Sequence, residues 1–137
     1  MSVEINNKTK AKINLSLVKK VARKFLKKHK KEKKDLSIAF VGDEKIKELN
    51  KKYRRIDRIT DVLSFAGEEK FLGEVIIDYS QIKRQAKEFR GRGMRAVEEE
   101  LVFILAHGLL HLLGYDDGTE EGRREMERLG NKFLKNF

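Results

Sequence analysis

The stretch from Val97 to Leu112 constrains this chain most. Val97, Leu101, Ile104, Leu105, Gly108, Leu109 and Leu112 recur at helical spacing and describe a helix apolar on most of its circumference. Such a helix must be enclosed, so it is predicted to be the central buried element around which the rest of the chain folds. Two histidines, His107 and His111, interrupt it. Polar rings in an apolar helix need partners. Residues four apart share a helix face, so this pair can present two imidazoles to one metal ion.

The flanking segments alternate in type. Residues Ser2 to Asn6 read as a short strand. Ser16 is a plausible N-cap for a helix carrying Val18, Val21, Ala22, Phe25 and Leu26, which fades into a lysine run. Leu36 to Val41 reads as a strand ending at Gly42. Asp43 then caps a second helix with Ile46, Leu49 and Tyr53 on one face. Asp61 to Ala66 and Gly73 to Tyr79 are β-like and joined by polar residues, the pattern of a hairpin. Ile82, Ala86 and Phe89 mark a third helix stopped near Gly91 and Gly93. A last helix follows Thr119, with Glu120 and Glu121 at its positive end and Met126, Leu129 and Phe133 facing inward. The expected fold class is α/β (α+β): a small mixed sheet of about four strands covered by about five helices, the central one carrying the histidines. Residues 1–137 are expected to form a single domain, since no repeat or linker interrupts them.

Composition narrows the chemistry. The chain has no cysteine, which excludes a disulfide framework, a thiolate metal site and a thiol nucleophile, and fits a cytoplasmic protein. No apolar run reaches the roughly 18 residues of a membrane span and no secretory leader is evident, so neither a membrane nor export is expected. A formal net charge of +10, with lysines crowded between Lys27 and Lys34, suits a polyanionic partner such as RNA or DNA; the bland reading of the lysine run is a solvated face. A nucleotide-binding Gly-rich loop and a G-x-S-x-G elbow are both missing, so no nucleotide cofactor or serine nucleophile is expected.

Beyond His111, Gly114 stands where a helix-ending glycine can turn the chain back and bring Asp116 or Asp117 beside the two imidazoles. The spacing His-x-x-x-His-x-x-Gly-x-x-Asp matches that of metzincin zinc sites, in which a glycine turn delivers the third ligand. The glutamate that serves those proteases as general base is replaced by Gly108, which argues against peptide hydrolysis. Three protein ligands would leave zinc an open, catalytic position; the same ligand set also suits iron, nickel or manganese. His29, alone in the lysine run, needs no such explanation.

The segment His107-Gly-Leu-Leu-His111-Leu-Leu-Gly114-Tyr-Asp-Asp117 resembles the signature H-G-x-L-H-L-x-G-Y-D-H of the YbeY family of bacterial endoribonucleases. A second stretch agrees in order: Asn50, Tyr53-Arg54, Asp57, Thr60-Asp61-Val62-Leu63-Ser64-Phe65 and Leu72-Gly73-Glu74-Val75. The resemblance spans roughly residues 36 to 130. It implies a metal-dependent, single-strand-preferring endoribonuclease acting on ribosomal RNA precursors, above all at the 3′ end of the small-subunit RNA, with a part in ribosome quality control. It implies zinc held by His107, His111 and Asp117, the last standing where the family has histidine. Arg54 falls on the family's functional arginine and would bind phosphate, while Asp116 is a candidate to orient a ligand or accept a proton. Asp61 and Ser64 would line the cleft or serve the strand. The family's prolines fall on Ile59 and Ala66. Two other readings compete: a ribosome-assembly or RNA-binding factor with a structural metal, which would need a fourth protein ligand, and a metal-dependent hydrolase of another substrate.

Overall fold

The computed structural model describes residues 2–137. Four strands, β1 (Val3–Asn7), β2 (Asp35–Val41), β3 (Val62–Ala66) and β4 (Phe71–Asp78), form one mixed sheet in the order β1-β2-β4-β3. β1, β2 and β4 run parallel, and β3 pairs antiparallel with β4 through the expected hairpin, with Val62 opposite Ile77 and Ala66 opposite Gly73. Five helices, α1 (Leu15–Lys28), α2 (Asp43–Arg54), α3 (Tyr79–Phe89), α4 (Met94–Leu112) and α5 (Glu120–Asn136), cover it. The mixed α/β class is as the periodicity predicts. Among the described residues no helix is long and apolar enough to cross a membrane.

The central strands β2 and β4 are buried along most of their length because helices lie on both faces. On one face Leu36, Ile38, Phe40, Val75 and Ile77 join Val21 and Phe25 of α1 and Leu105 and Leu109 of α4. On the other, Ala39, Val41, Leu63 and Ile76 close over Ile46 of α2. Helix α4 is indeed central, touching β3, β4, α1, α3 and α5. It lies low on the sheet at Gly108: a Cβ there would meet Val75 Cγ1 at 2.9 Å and Val62 Cγ2 at 3.0 Å. Gly108 therefore stands in for the protease glutamate for a packing reason, since this face of the helix has no room for a side chain.

Several local expectations are corrected. Asn14, not Ser16, caps α1, accepting from the Leu17 N–H at 3.1 Å. Gly42 is the N-cap of α2, and Asp43 sits inside the first turn, where its carboxylate meets Arg84 at 2.8 Å. Tyr79 leaves the strand to begin α3, because Asp78 caps that helix by accepting from Ser80 and Gln81 N–H. Phe89, at the end of α3, and Tyr53, at the end of α2, are 68% and 56% exposed rather than packed inward. His29 stacks on Phe25 with centroids 4.3 Å apart, as its bland reading requires.

Candidate metal centre

His107 and His111 lie one turn apart on α4, their rings 4.9 Å apart and steeply inclined at 77°. Both side chains are partly exposed, at 21% and 28%, rather than buried. Past Leu112 the chain closes a Schellman turn: the Gly114 N–H donates to His111 O at 3.0 Å and the Tyr115 N–H to Leu110 O at 3.1 Å. Gly114 takes φ +99°, a conformation few residues other than glycine adopt, and the reversal carries Asp117 back over the helix.

The result is convergence on one point. His107 Nε2 and His111 Nε2 each lie 3.5 Å from Asp117 Oδ2, and the three ligand atoms fall within 4.8 Å of one another. Ligands about 2.0–2.1 Å from a tetrahedral ion stand about 3.3–3.4 Å from each other, so the two nitrogen–oxygen separations are close to those of a tetrahedral zinc site. The donor set fits as well, with two imidazoles and one carboxylate. Burial, followed by the neighbouring His111, lowers the His107 pKa, while Asp117 and Asp61 pull the other way. The lowered value keeps a nitrogen lone pair free at neutral pH, the form a metal requires.

The three ligands open onto a cleft of about 530 Å³, bounded on one side by edge strand β3 and on another by the end of α2. Arg54, in the last turn of α2, lines it and is exposed, with no ion pair or hydrogen bond among the described residues. Its bland reading as a helix-end salt bridge is therefore not what the structure contains. Ser64 and Asp61 also line the cleft but are engaged elsewhere. The Ser64 hydroxyl donates to Gly108 O at 2.8 Å, tying β3 to α4. Asp61 Oδ2 accepts from Gln85 Nε2 at 3.2 Å; that amide also donates to the buried Glu100 at 2.9 Å, which Arg90 Nε meets at 2.7 Å. Asp116 is not brought into the cleft. Its carboxylate accepts from the Gly118 N–H at 2.9 Å and shapes the loop that presents Asp117. The lysine run lies apart, and none of its residues lines the cleft.

Tyr53 and Phe65, which periodicity assigns to packing, both face this cleft, with centroids 5.1 Å apart. The sequence signals for Tyr53 were its place beside Arg54 at a helix end and in the second stretch that resembles the family.

The model of the family described as Endoribonuclease YbeY matches residues 4–137. A protein of Heliobacterium modesticaldum named Endoribonuclease YbeY is 42% identical, the match covering 74% of this chain and 69% of that protein. One of the same name from Thermodesulfovibrio yellowstonii is 44% identical over 74% of this chain and 66% of its own length. Among solved structures, a Thermotoga maritima protein studied in solution superposes with a TM-score of 0.67 at 29% identity, covering 97% of this chain and 87% of that one.

Proposed function

Because the chain belongs to the YbeY endoribonuclease family, we propose that it is a metal-dependent endoribonuclease that cuts single-stranded RNA in the maturation of ribosomal RNA. The convergence of His107, His111 and Asp117 beside an unpartnered Arg54 carries this reading. The ribosomal RNA precursor is the substrate, its small-subunit 3′ end the principal target, and the small ribosomal subunit and its quality control the context of action, in the cytoplasm.

His107, His111 and Asp117 hold zinc; the ion, when bound, supplies Lewis acidity toward water and a phosphoryl oxygen. Arg54 forks onto the phosphate through charge-assisted hydrogen bonds and offsets negative charge that grows during attack on phosphorus. Asp61, anchored by Gln85, places a carboxyl near His107 and steadies the rim of the cleft. Ser64 holds α4 and β3 together beneath the ligands. The metal-ligating group has three members among the described residues, which favours an open coordination position over a structural metal with four protein ligands.

The deciding experiment measures elemental metal in untagged protein alongside cleavage of single-stranded RNA. Near-stoichiometric metal in wild type, lost together with cleavage in His111→Ala and Asp117→Ala, is expected. Metal-free wild type that cannot be reconstituted would instead favour an RNA-binding assembly factor.

A further inference from the structure

Tyr53 is the most exposed aromatic residue of the cleft, and its setting is unusual for a core residue left outside. It occupies the last turn of α2, one position before Arg54, and 56% of its surface is open. Phe65 of edge strand β3 supports it edge to face, with an interplanar angle of 69°. The Lys52 ammonium stands 5.2 Å from its centroid. The phenol hydroxyl makes no hydrogen bond among the described residues, so it does not pin the ring where it is. An aromatic residue supported by another ring, with a flexible lysine chain over its face that a base can displace, resembles the stacking surfaces on which proteins hold bases.

The surroundings select the ligand. Arg54 faces the same cleft without a carboxylate partner, and Lys51 and Lys52 crowd the same helix turn. A ligand that offers a flat π face and an anionic group one residue apart satisfies both, and a nucleotide does so where an apolar protein side chain satisfies only the ring. A cleft of about 530 Å³ accommodates a group of that size.

We propose that Tyr53, supported by Phe65, is a stacking platform for one unpaired nucleobase next to the phosphate held at Arg54. This inference rests on the RNA reading above and deepens it, since it assigns the single-strand preference to a residue. Within a duplex, neighbouring bases cover both faces of each base, so only an unpaired nucleotide can lay its base on the ring.

The test compares metal-loaded wild type, Tyr53→Phe and Tyr53→Leu by fluorescence anisotropy, using a short single-stranded RNA, the same RNA made abasic at each position in turn, and its duplex. Tyr53→Leu is expected to weaken single-strand binding about fivefold to a hundredfold, the range of one lost base stack. Tyr53→Phe should bind within about twofold of wild type, because the ring and not the hydroxyl is used. Removal of the base at one position should weaken wild type and leave Tyr53→Leu unaffected, and the Leu variant should lose most of its discrimination against duplex. Since the chain has three tyrosines and no tryptophan, quenching of tyrosine emission by RNA, absent in Tyr53→Phe, reports the stack directly. Unchanged metal content and melting temperature establish that the variants are folded. Single-strand binding by Tyr53→Leu equal to wild type, or an abasic penalty identical in the two, overturns the platform while leaving the RNA reading standing. Wild type without affinity for any single-stranded RNA overturns both.

Discussion

Asp117 distinguishes this site at the residue scale, because a carboxylate stands where the family signature has a third histidine. A carboxylate donates more charge to a metal than imidazole does and leaves a bound water less acidic. Asp117→Ala should therefore abolish stoichiometric metal, whereas Asp117→His should retain it and move the rising limb of the pH–rate profile to lower pH; elemental analysis and a pH series of RNA cleavage check the two halves. Arg54 makes the complementary case. It lines the cleft without a protein partner, so Arg54→Ala should leave metal content and melting temperature unchanged. Cleavage should fall by about a hundredfold or more, the usual loss of a transition-state donor. Cleavage at the wild-type rate in that variant would remove Arg54 from the chemistry.

At the scale of elements, the site depends on how α4 ends. The Schellman turn at Gly114 delivers Asp117 to the histidines, and the loop is then held by the Asp116 side chain and by Thr119, whose hydroxyl accepts from the Gly122 N–H at 3.0 Å. Gly114→Ala forces a Cβ into φ +99°. Stability should drop by about 1 kcal/mol, with a larger proportional loss of metal affinity, because the displaced loop carries a ligand. Denaturant unfolding with and without added zinc separates these effects: equal destabilisation in both would mean that the turn does not place Asp117. The other end of the cleft follows the same logic. Helix α2 sets its last turn beside edge strand β3, where Tyr53 and Arg54 line the cleft with the ligands.

Across the whole molecule, the parallel strands β2 and β4 end beside the starts of α2 and α3, which brings two carboxyls together, Asp78 buried and Asp43 partly exposed. Asp78 has no exposed surface, its Oδ2 lacks a hydrogen-bond partner among the described residues, and Arg84 approaches it only to 4.0 Å. Burial, and then the adjacent Asp43 carboxyl, pushes the Asp78 pKa up to about 7, while Arg84 draws the Asp43 pKa down. The raised value means that the folded chain keeps a proton which the unfolded chain releases near pH 4. This group's contribution is thus most favourable below about pH 4, declines as pH rises and levels off above about pH 7. Melting temperature should fall between pH 5 and pH 8 through this pair, and Asp78→Asn, which preserves the helix cap, should flatten that slope. An unchanged slope in Asp78→Asn would locate the pH dependence elsewhere.

The sequence by itself determined the class of fold, the central helix, the hairpin and the histidine pair followed by a carboxylate, because each is written in local spacing: period 3.6 in α4, alternation in β3 and β4, and a glycine three residues after His111. Spacing left Asp116 and Asp117 open as the third member, and the turn brings Asp117 to the histidines. Only the tertiary structure decided where elements stop against one another. Periodicity placed Tyr53 and Phe89 on packed faces, yet both are largely exposed, Tyr53 against the Phe65 ring at the edge of the sheet. Ser64, Asp61 and Asp116 carry polar groups compatible with chemistry, and the partners that occupy them come from α4, α3 and the following loop. Those partners lie 44, 24 and 2 residues away in the chain. Side-chain spacing records which face a residue shares with its neighbours along one element, whereas what meets that face is set by how far other elements extend, and that depends on packing of the whole chain.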